Sequence, residues 1–304
     1  MNELPADFIG HIVDLHGEEG RDWLDNLPGL IVSIEEQWRI RVGEPIHTLT
    51  YNYVAPVAQE DGSPAILKLG FPGAHIEFEA DCLRRYDGRG APYLLEHDAP
   101  MGAMLLERVQ PGTDITQLEE SEAMEAAVTV MQQLHQASIS GAALPTVRDW
   151  WNGFHRLRTR YHGSAGPLPD RLVDEAESLY AELAGSMEDP VLLHADLHHG
   201  NILAGDRLPW FAIDPQGLIG EPAYEVGAFL RNPMPDMLSW SGLDSILERR
   251  VAMFSERLGI DRRRLAGWGY SQAVLSGIWA LEDHGAGWES SIQVARVLGA
   301  LASP

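Results

Sequence analysis

The chain has 304 residues, enough for two lobes, because a single hydrophobic core stops growing at about 250 to 300 residues. Forty-five acidic residues against 22 basic ones give a formal net charge of −23, a balance that repels nucleic acid and anionic membranes and favours cationic partners. One cysteine, Cys82, excludes an intramolecular disulfide framework and a multi-cysteine zinc site, and with no apolar run near the roughly 18 residues of a membrane span and no leader-like N-terminus, a soluble, cytoplasmic protein is expected.

In chain order, "ADFIGHIVDLHGEEGRDWLDNL" reads as a helical extension of an N-terminal lobe. "TLTYNYVAPV" and "PAILKLG", joined by the turn-like "QEDGSP", read as a strand pair, and "GAMLLERV" as a further strand. The helical spacing of "EFEADCL" places Glu79 on the element after Lys68. Beyond the Pro-Gly break in "QPGTD", apolar residues recur at helical spacing in "LEESEAMEAAVTVMQQLHQAS", "DRLVDEAESLYAELAG" and "RRRLAGWGYSQAVLSGIWALED". The expected fold is therefore α+β, with a small mixed, β-rich N-lobe over residues 1–107 and a larger, mainly helical C-lobe over 108–304.

The densest polar stretch is "VLLHADLHHGNILAGDRLPWFAIDPQG", residues 191–217. Short strand-like runs flank a polar loop, and a hairpin between them would bring Asp196, Asn201 and Asp214 together. Asn201 and Asp214 offer hard oxygen ligands of the kind Mg²⁺ prefers, and Asp196, offset in the same loop, suits proton acceptance from a hydroxyl. A zinc site on His194, Asp196 and His198 is an alternative, as is a loop of satisfied structural polar groups. The composition poses a second question, for the basic residues are 21 arginines and a single lysine, Lys68.

"HADLHHGN" resembles the H-x-D-x-x-x-x-N catalytic loop of aminoglycoside phosphotransferases and choline kinases. "FAIDPQGLIGEPAYEVGAFLRNP" resembles a longer block of the aminoglycoside/hydroxyurea resistance kinases, the group that contains streptomycin 6-phosphotransferases. The likeness runs from about Trp38 to the "WALEDHG" segment. It implies a bilobal protein-kinase-like fold that binds ATP, with Asp196 as catalytic base, His194 as loop organiser, and Asn201 and Asp214 as Mg²⁺ ligands. It also implies that Lys68, held by Glu79, clamps phosphate, a task for which a compact ammonium suits better than a guanidinium fork. Backbone groups near Glu107 and Val109 in "MLLERVQPG" would pair with the base.

Residues 43–52, "GEPIHTLTYN", stand where the resemblance places a glycine-rich phosphate loop but keep only Gly43, leaving Thr48, Thr50 and Asn52 as polar substitutes. For the acceptor, the resemblance points to C-lobe carboxylates that bind protonated amines or guanidinium groups: Glu221 and Glu225, then Glu282 and Asp283 beside Trp279. The expected reaction is ATP- and Mg²⁺-dependent O-phosphorylation of a small cationic acceptor, a streptomycin-like aminocyclitol first, with an amino sugar or hydroxyurea-like compound as the alternative acceptor. A non-catalytic nucleotide-binding module would lack at least one of Lys68, Asp196, Asn201 and Asp214, and all four are present.

Overall fold

The computed structural model describes residues 4–47 and 49–302, so Thr48 lies outside the described residues. The chain divides into two compact units, Met1–Gly112 and Thr113–Pro304.

The first unit is built from α1 (Ala6–Trp38), β1 (Arg41–Val42), β2 (Asn52–Ala58), β3 (Pro64–Gly70), α2 (Ala74–Tyr86), β4 (Leu94–Asp98) and β5 (Ala103–Glu107). The strands form one antiparallel sheet in the order β1-β2-β3-β5-β4. The expected helical extension is present and runs on to Trp38, although the helix direction breaks at Gly17, whose φ of 60° suits glycine. Close packing across that break requires a second glycine: a Cβ on Gly20 would stand 2.6 Å from the Ile12 carbonyl oxygen.

Side-chain alternation along the strands explains what α1 covers. Register pairs Tyr53 with Leu69, Ala55 with Leu67, and Leu67 with Leu105, so these residues share one face. They cluster with Phe8, Ile12, Leu27, Ile31 and Ile34 of α1 in a continuous core. Lys68, one position out of phase, pairs with Val54 and Met104 and faces the other way.

The boundary between the units falls within β6 (Pro111–Asp114), and the second unit goes on with α3 (Glu120–Leu134), α4 (Val147–Trp150), α5 (Asn152–Arg160), α6 (Asp170–Gly185), β7 (Val191–Leu193), β8 (Ile202–Gly205), β9 (Trp210–Ala212), β10 (Leu218–Gly220), α7 (Pro222–Leu230), α8 (Leu243–Leu258), α9 (Arg262–His284) and α10 (Trp288–Ala302). Helix α6 buries Val173, Ala176, Tyr180 and Leu183 along one stripe, as the spacing of its apolar residues dictates. Helix α9 is different, for it buries Leu265, Trp268, Val274, Leu275 and Ile278 around its circumference and forms the middle of the unit. An Asp261 side chain accepting the Arg264 N–H starts it, and Gly285 in the left-handed region ends it.

Among the described residues, no helix is long and apolar enough to cross a membrane. The small strands pair differently from a single hairpin: β7 pairs antiparallel with β10, and β8 with β9. The polar loop thus leaves one ladder at Leu193 and enters another at Ile202, while the segment carrying Asp214 passes back from the second to the first.

Candidate active site

In the first unit, Lys68 and Glu79 are 2% and 6% exposed, and Lys68 Nζ donates to Glu79 Oε1 at 2.7 Å. The strand turns the ammonium away from α1, and the helix after it brings the carboxylate to the same face. A buried lysine keeps its charge only beside an opposite one, so the pair belongs together. Glu107 closes β5: its N–H donates to the Tyr93 carbonyl at 2.9 Å and its Oε2 accepts the Tyr93 N–H at 3.0 Å. Val109 follows, half-buried. In the loop before β2, Gly43 N–H and Ile46 N–H donate to the Pro56 and Val54 carbonyls, so the segment is tied to its own strand. Asn52 begins β2, its Oδ1 packed where a Cβ on Gly70 would come within 2.5 Å.

In the second unit, the loop 194–201 is held from three sides. Glu225, fully buried on α7, accepts the His194 N–H at 2.7 Å and the Ala195 N–H at 2.8 Å. His194 Nε2 donates to the Ile213 carbonyl at 2.7 Å, which leaves Nδ1 to accept the Asp196 N–H at 3.3 Å, the arrangement of a neutral ring. Asn201 Nδ2 donates to the Asp196 carbonyl at 2.9 Å, and Ile213 N–H donates to the Asn201 carbonyl at 3.0 Å. Ala195 and Asp214 both adopt positive φ, 70° and 61°, a cost the surrounding hydrogen bonds offset.

These bonds bring His194, Asp196, Asn201 and the Asp214 segment into one cluster. With its amide nitrogen committed, Asn201 has only its side-chain oxygen left to offer, and Asp214, exposed at the end of the following segment, supplies a carboxylate. One carboxylate and one amide oxygen, with water completing the shell, fit Mg²⁺. They do not fit zinc: both His194 nitrogens are used within the loop, and no group of three or more His, Cys, Asp or Glu side chains able to hold a metal occurs among the described residues.

Asp196 has its own neighbours. Arg231 Nη2 lies 3.2 Å from Oδ1, and His198 Nε2 lies 3.7 Å from Oδ2. Burial lowers the His198 pKa, an effect the Asp196 charge partly opposes. His199 beside it is stacked on Phe229 with ring centroids 4.0 Å apart, and burial, reinforced by the Arg250 cation, pushes its pKa down to about 3. Burial alone would raise the Glu225 carboxyl, but the His135 side chain, 3.6 Å away, and the His194 contacts outweigh it and hold the pKa below the ordinary value.

The carboxylates expected to face an acceptor are engaged within the fold. Glu221 is 6% exposed and receives Arg264 Nε at 2.8 and 2.9 Å together with the Trp268 indole N–H. Glu225 anchors the loop backbone rather than a ligand. Glu282 takes a two-pronged bond from Arg156, at 3.0 and 2.8 Å, and Trp279 packs edge-on against Trp150 at 5.2 Å. Asp283 is exposed at the end of α9. Sequence reasoning missed Arg231 as the partner of Asp196, although it sits in the quoted "LRNP", and missed His135, which no motif marks.

The model of the aminoglycoside/hydroxyurea antibiotic resistance kinase family matches residues 38–284. A streptomycin 6-kinase from Streptomyces glaucescens is 30% identical over 97% of both chains. A hydroxyurea phosphotransferase from Kitasatospora aureofaciens is 35% identical over 97% of this chain and 86% of that protein. Among solved structures, a thermostable mutant of the aminoglycoside phosphotransferase APH(4)-Ia, in ternary complex with ADP and hygromycin B, superposes with a TM-score of 0.65 at 15% identity, covering 89% of this chain and 97% of that one. A choline/ethanolamine kinase family protein from Mesorhizobium loti gives 0.64 at 15% identity over 93% and 95%. At such identities these two show the fold.

Proposed function

This chain belongs to the aminoglycoside/hydroxyurea antibiotic resistance kinase family, and from that premise we propose that it transfers the terminal phosphoryl group of ATP, with Mg²⁺, to a hydroxyl of a small molecule. The observation that carries the reading is the loop in which Glu225 grips the backbone N–H groups on both sides of the His194 Cα while Asp196 keeps a carboxylate edge, Oδ2, that Arg231 does not occupy. Phosphoryl transfer asks little covalent chemistry of a protein and much positioning. Asp196 would accept a hydrogen bond from the acceptor hydroxyl, aim its oxygen at the phosphorus and take its proton as the bond forms. His194 and Glu225 fix the backbone from which Asp196 projects. Asn201 and Asp214 would hold the metal, which when bound neutralises charge on the phosphate oxygens. Lys68, kept charged by Glu79, would bind nucleotide phosphate, and the backbone near Glu107 and Val109 the base.

For the acceptor, a streptomycin-like cation is supported by the net charge of −23 and by the substrate named for one relative. A neutral hydroxyl-bearing acceptor is supported by the substrate named for another relative and by the internal engagement of Glu221, Glu225 and Glu282. The test is Mg²⁺-dependent ATP consumption by the full chain in the presence of streptomycin, other aminoglycosides, amino sugars, neutral polyols and hydroxyurea. Failure of every acceptor to stimulate turnover, together with no Mg-ATP binding by calorimetry, would remove the kinase reading.

A further inference from the structure

A pocket of about 260 Å³ opens in the second unit against the end of α7. Its polar lining comes from Arg231 and Asn232 after α7, Ser276 on α9, and Ser290 and Ser291 on α10. The two helices that form this wall approach closely: a Cβ on Gly277 would lie 3.4 Å from Ser291 Cβ and from the Trp288 carbonyl oxygen. The wall is thus made of packed helix rather than loop. Arg231 joins the pocket to Asp196, because the same side chain lines the one and donates to the other at 3.2 Å. Its Nε is buried and has no hydrogen-bond partner.

The lining dictates the chemistry of an occupant. No carboxylate is among the described lining residues, and the one charged group, Arg231, is a donor that cannot accept. A group meeting it must therefore present an acceptor oxygen; an ammonium or guanidinium would meet a like charge. Three serine hydroxyls both donate and accept, which suits hydroxyls and amides in turn, whereas the Asn232 amide is engaged within the fold, donating to the Ala228 carbonyl at 2.9 Å and accepting the Met234 N–H at 3.2 Å. Since the Arg231 charge is already balanced by Asp196, the occupant need carry none. The volume, about 260 Å³, is just below the range of drug-sized ligand sites, roughly 300 to 1,000 Å³, and so suits a small occupant.

From this we infer that the pocket of Arg231, Ser276, Ser290 and Ser291 is the acceptor subsite and takes a neutral, oxygen-rich small molecule, a hydroxyamide or a polyol ring, with Arg231 hydrogen-bonded at once to Asp196 and to an acceptor oxygen. The inference rests on the proposed kinase function and names the acceptor class of that same site. Arg231 then has two effects: it holds the Asp196 carboxylate, and it places the reacting hydroxyl beside it.

The experiment separates binding from turnover. Hydroxyurea, acetohydroxamic acid and myo-inositol serve as neutral probes and streptomycin as the cationic one, with the full chain, R231Q and S290L. Binding is read without nucleotide by ligand-observed NMR. Far-UV circular dichroism and the unfolding midpoint check that the variants fold, and S290L should bind Mg-ATP like the parent. At least one neutral probe is expected to bind saturably, at least tenfold more weakly in both variants, and to resist displacement by streptomycin. If no neutral probe binds, if both variants bind it as the parent does, or if streptomycin displaces it, the subsite assignment is overturned. Neutral probes that bind in the parent and weaken in both variants, while no acceptor stimulates turnover and Mg-ATP does not bind, would leave the subsite standing and overturn the kinase reading instead.

Discussion

Glu225, with no exposed surface, spends one carboxylate oxygen on the His194 N–H and the other on the Ala195 N–H. The two bonds flank the His194 Cα, two residues before Asp196, and hold Ala195 at a φ of 70°. Glu225→Gln replaces one acceptor oxygen by an N–H₂ that faces a backbone donor. Hydrogen bonds to a charged group contribute about 1.5 to 3 kcal/mol each, so the variant should lose about 2 to 4 kcal/mol of stability, read as a lower urea midpoint. Turnover should fall by at least tenfold with the Michaelis constant for ATP little changed. A Glu225→Gln enzyme with parental turnover would show that the loop holds its shape without this carboxylate.

The same residue sets an acid limit. Its folded-state pKa lies below the ordinary carboxylate value, so its stabilisation is present above the unfolded pKa of about 4.3 and is lost as pH falls through the lower folded value. Between pH 5 and 3 the parent should lose stability more steeply than Glu225→Gln. Parallel acid limbs for the two, by denaturant titration at each pH, would contradict the assignment.

Lys68 and Glu79 form a pair at 2.7 Å in which neither side chain is more than 8% exposed. Lys68→Met removes the ammonium that faces the Glu79 carboxylate and should cost about 3 to 5 kcal/mol. Adding Glu79→Leu should restore most of that stability, since well-packed apolar residues replace buried ion pairs at little net loss. Phosphoryl transfer should stay abolished in both. If the double variant turned over ATP near the parental rate, the pair would be structural only. Lys68→Arg should also transfer poorly, because a planar fork does not occupy the space of a compact ammonium.

How much of this was legible in the chain differs by residue. Lys68 stood out because it is the single lysine among 22 basic residues. The extent of α6 was legible from its apolar spacing, and that of α9, which is apolar all round, from the Asp261 start and the Gly285 stop. The pairing of β7 with β10 was not, since strands of three residues carry too little pattern to choose a partner. Nor were the partners of the acidic residues: Glu221 meets Arg264 43 positions away, Glu225 meets His194 31 positions away, and Asp196 meets Arg231 35 positions away. In so acidic a chain, nothing local separates a carboxylate that faces solvent from one that finishes the interior.

Asp214 and Asp196 should fail in different ways. Asp214→Asn removes the only charge among the two proposed metal ligands, so Mg-ATP affinity by calorimetry and turnover should both drop, the latter by orders of magnitude. Asp196→Ala should lower turnover comparably while Mg-ATP affinity stays within a few-fold. Unchanged Mg-ATP affinity in Asp214→Asn would detach that residue from the metal, and an Asp196→Ala enzyme that keeps most of its turnover would remove Asp196 from the chemistry.

Glu282 offers the sharpest separation between an acceptor carboxylate and a structural one. Its two oxygens receive Arg156 Nε and Nη2 at 3.0 and 2.8 Å, and the bond to Glu282 raises the Arg156 pKa. Arg156 is 54% exposed and Glu282 20%, so the pair is partly solvated and should be worth no more than about 1 kcal/mol. A carboxylate that bound a cationic acceptor by desolvated contact would instead cost about 2 to 5 kcal/mol when truncated, which is a rise in acceptor Michaelis constant of at least thirtyfold. Glu282→Gln is therefore expected to leave the acceptor Michaelis constant within twofold of the parent and to lower the unfolding midpoint slightly, and Arg156→Gln should do the same, because the two share one bond. The measurement is steady-state kinetics with the best acceptor from the screen at saturating Mg-ATP. A thirtyfold rise in Glu282→Gln alone, with Arg156→Gln unaffected, would return Glu282 to the acceptor and with it the case for a cation.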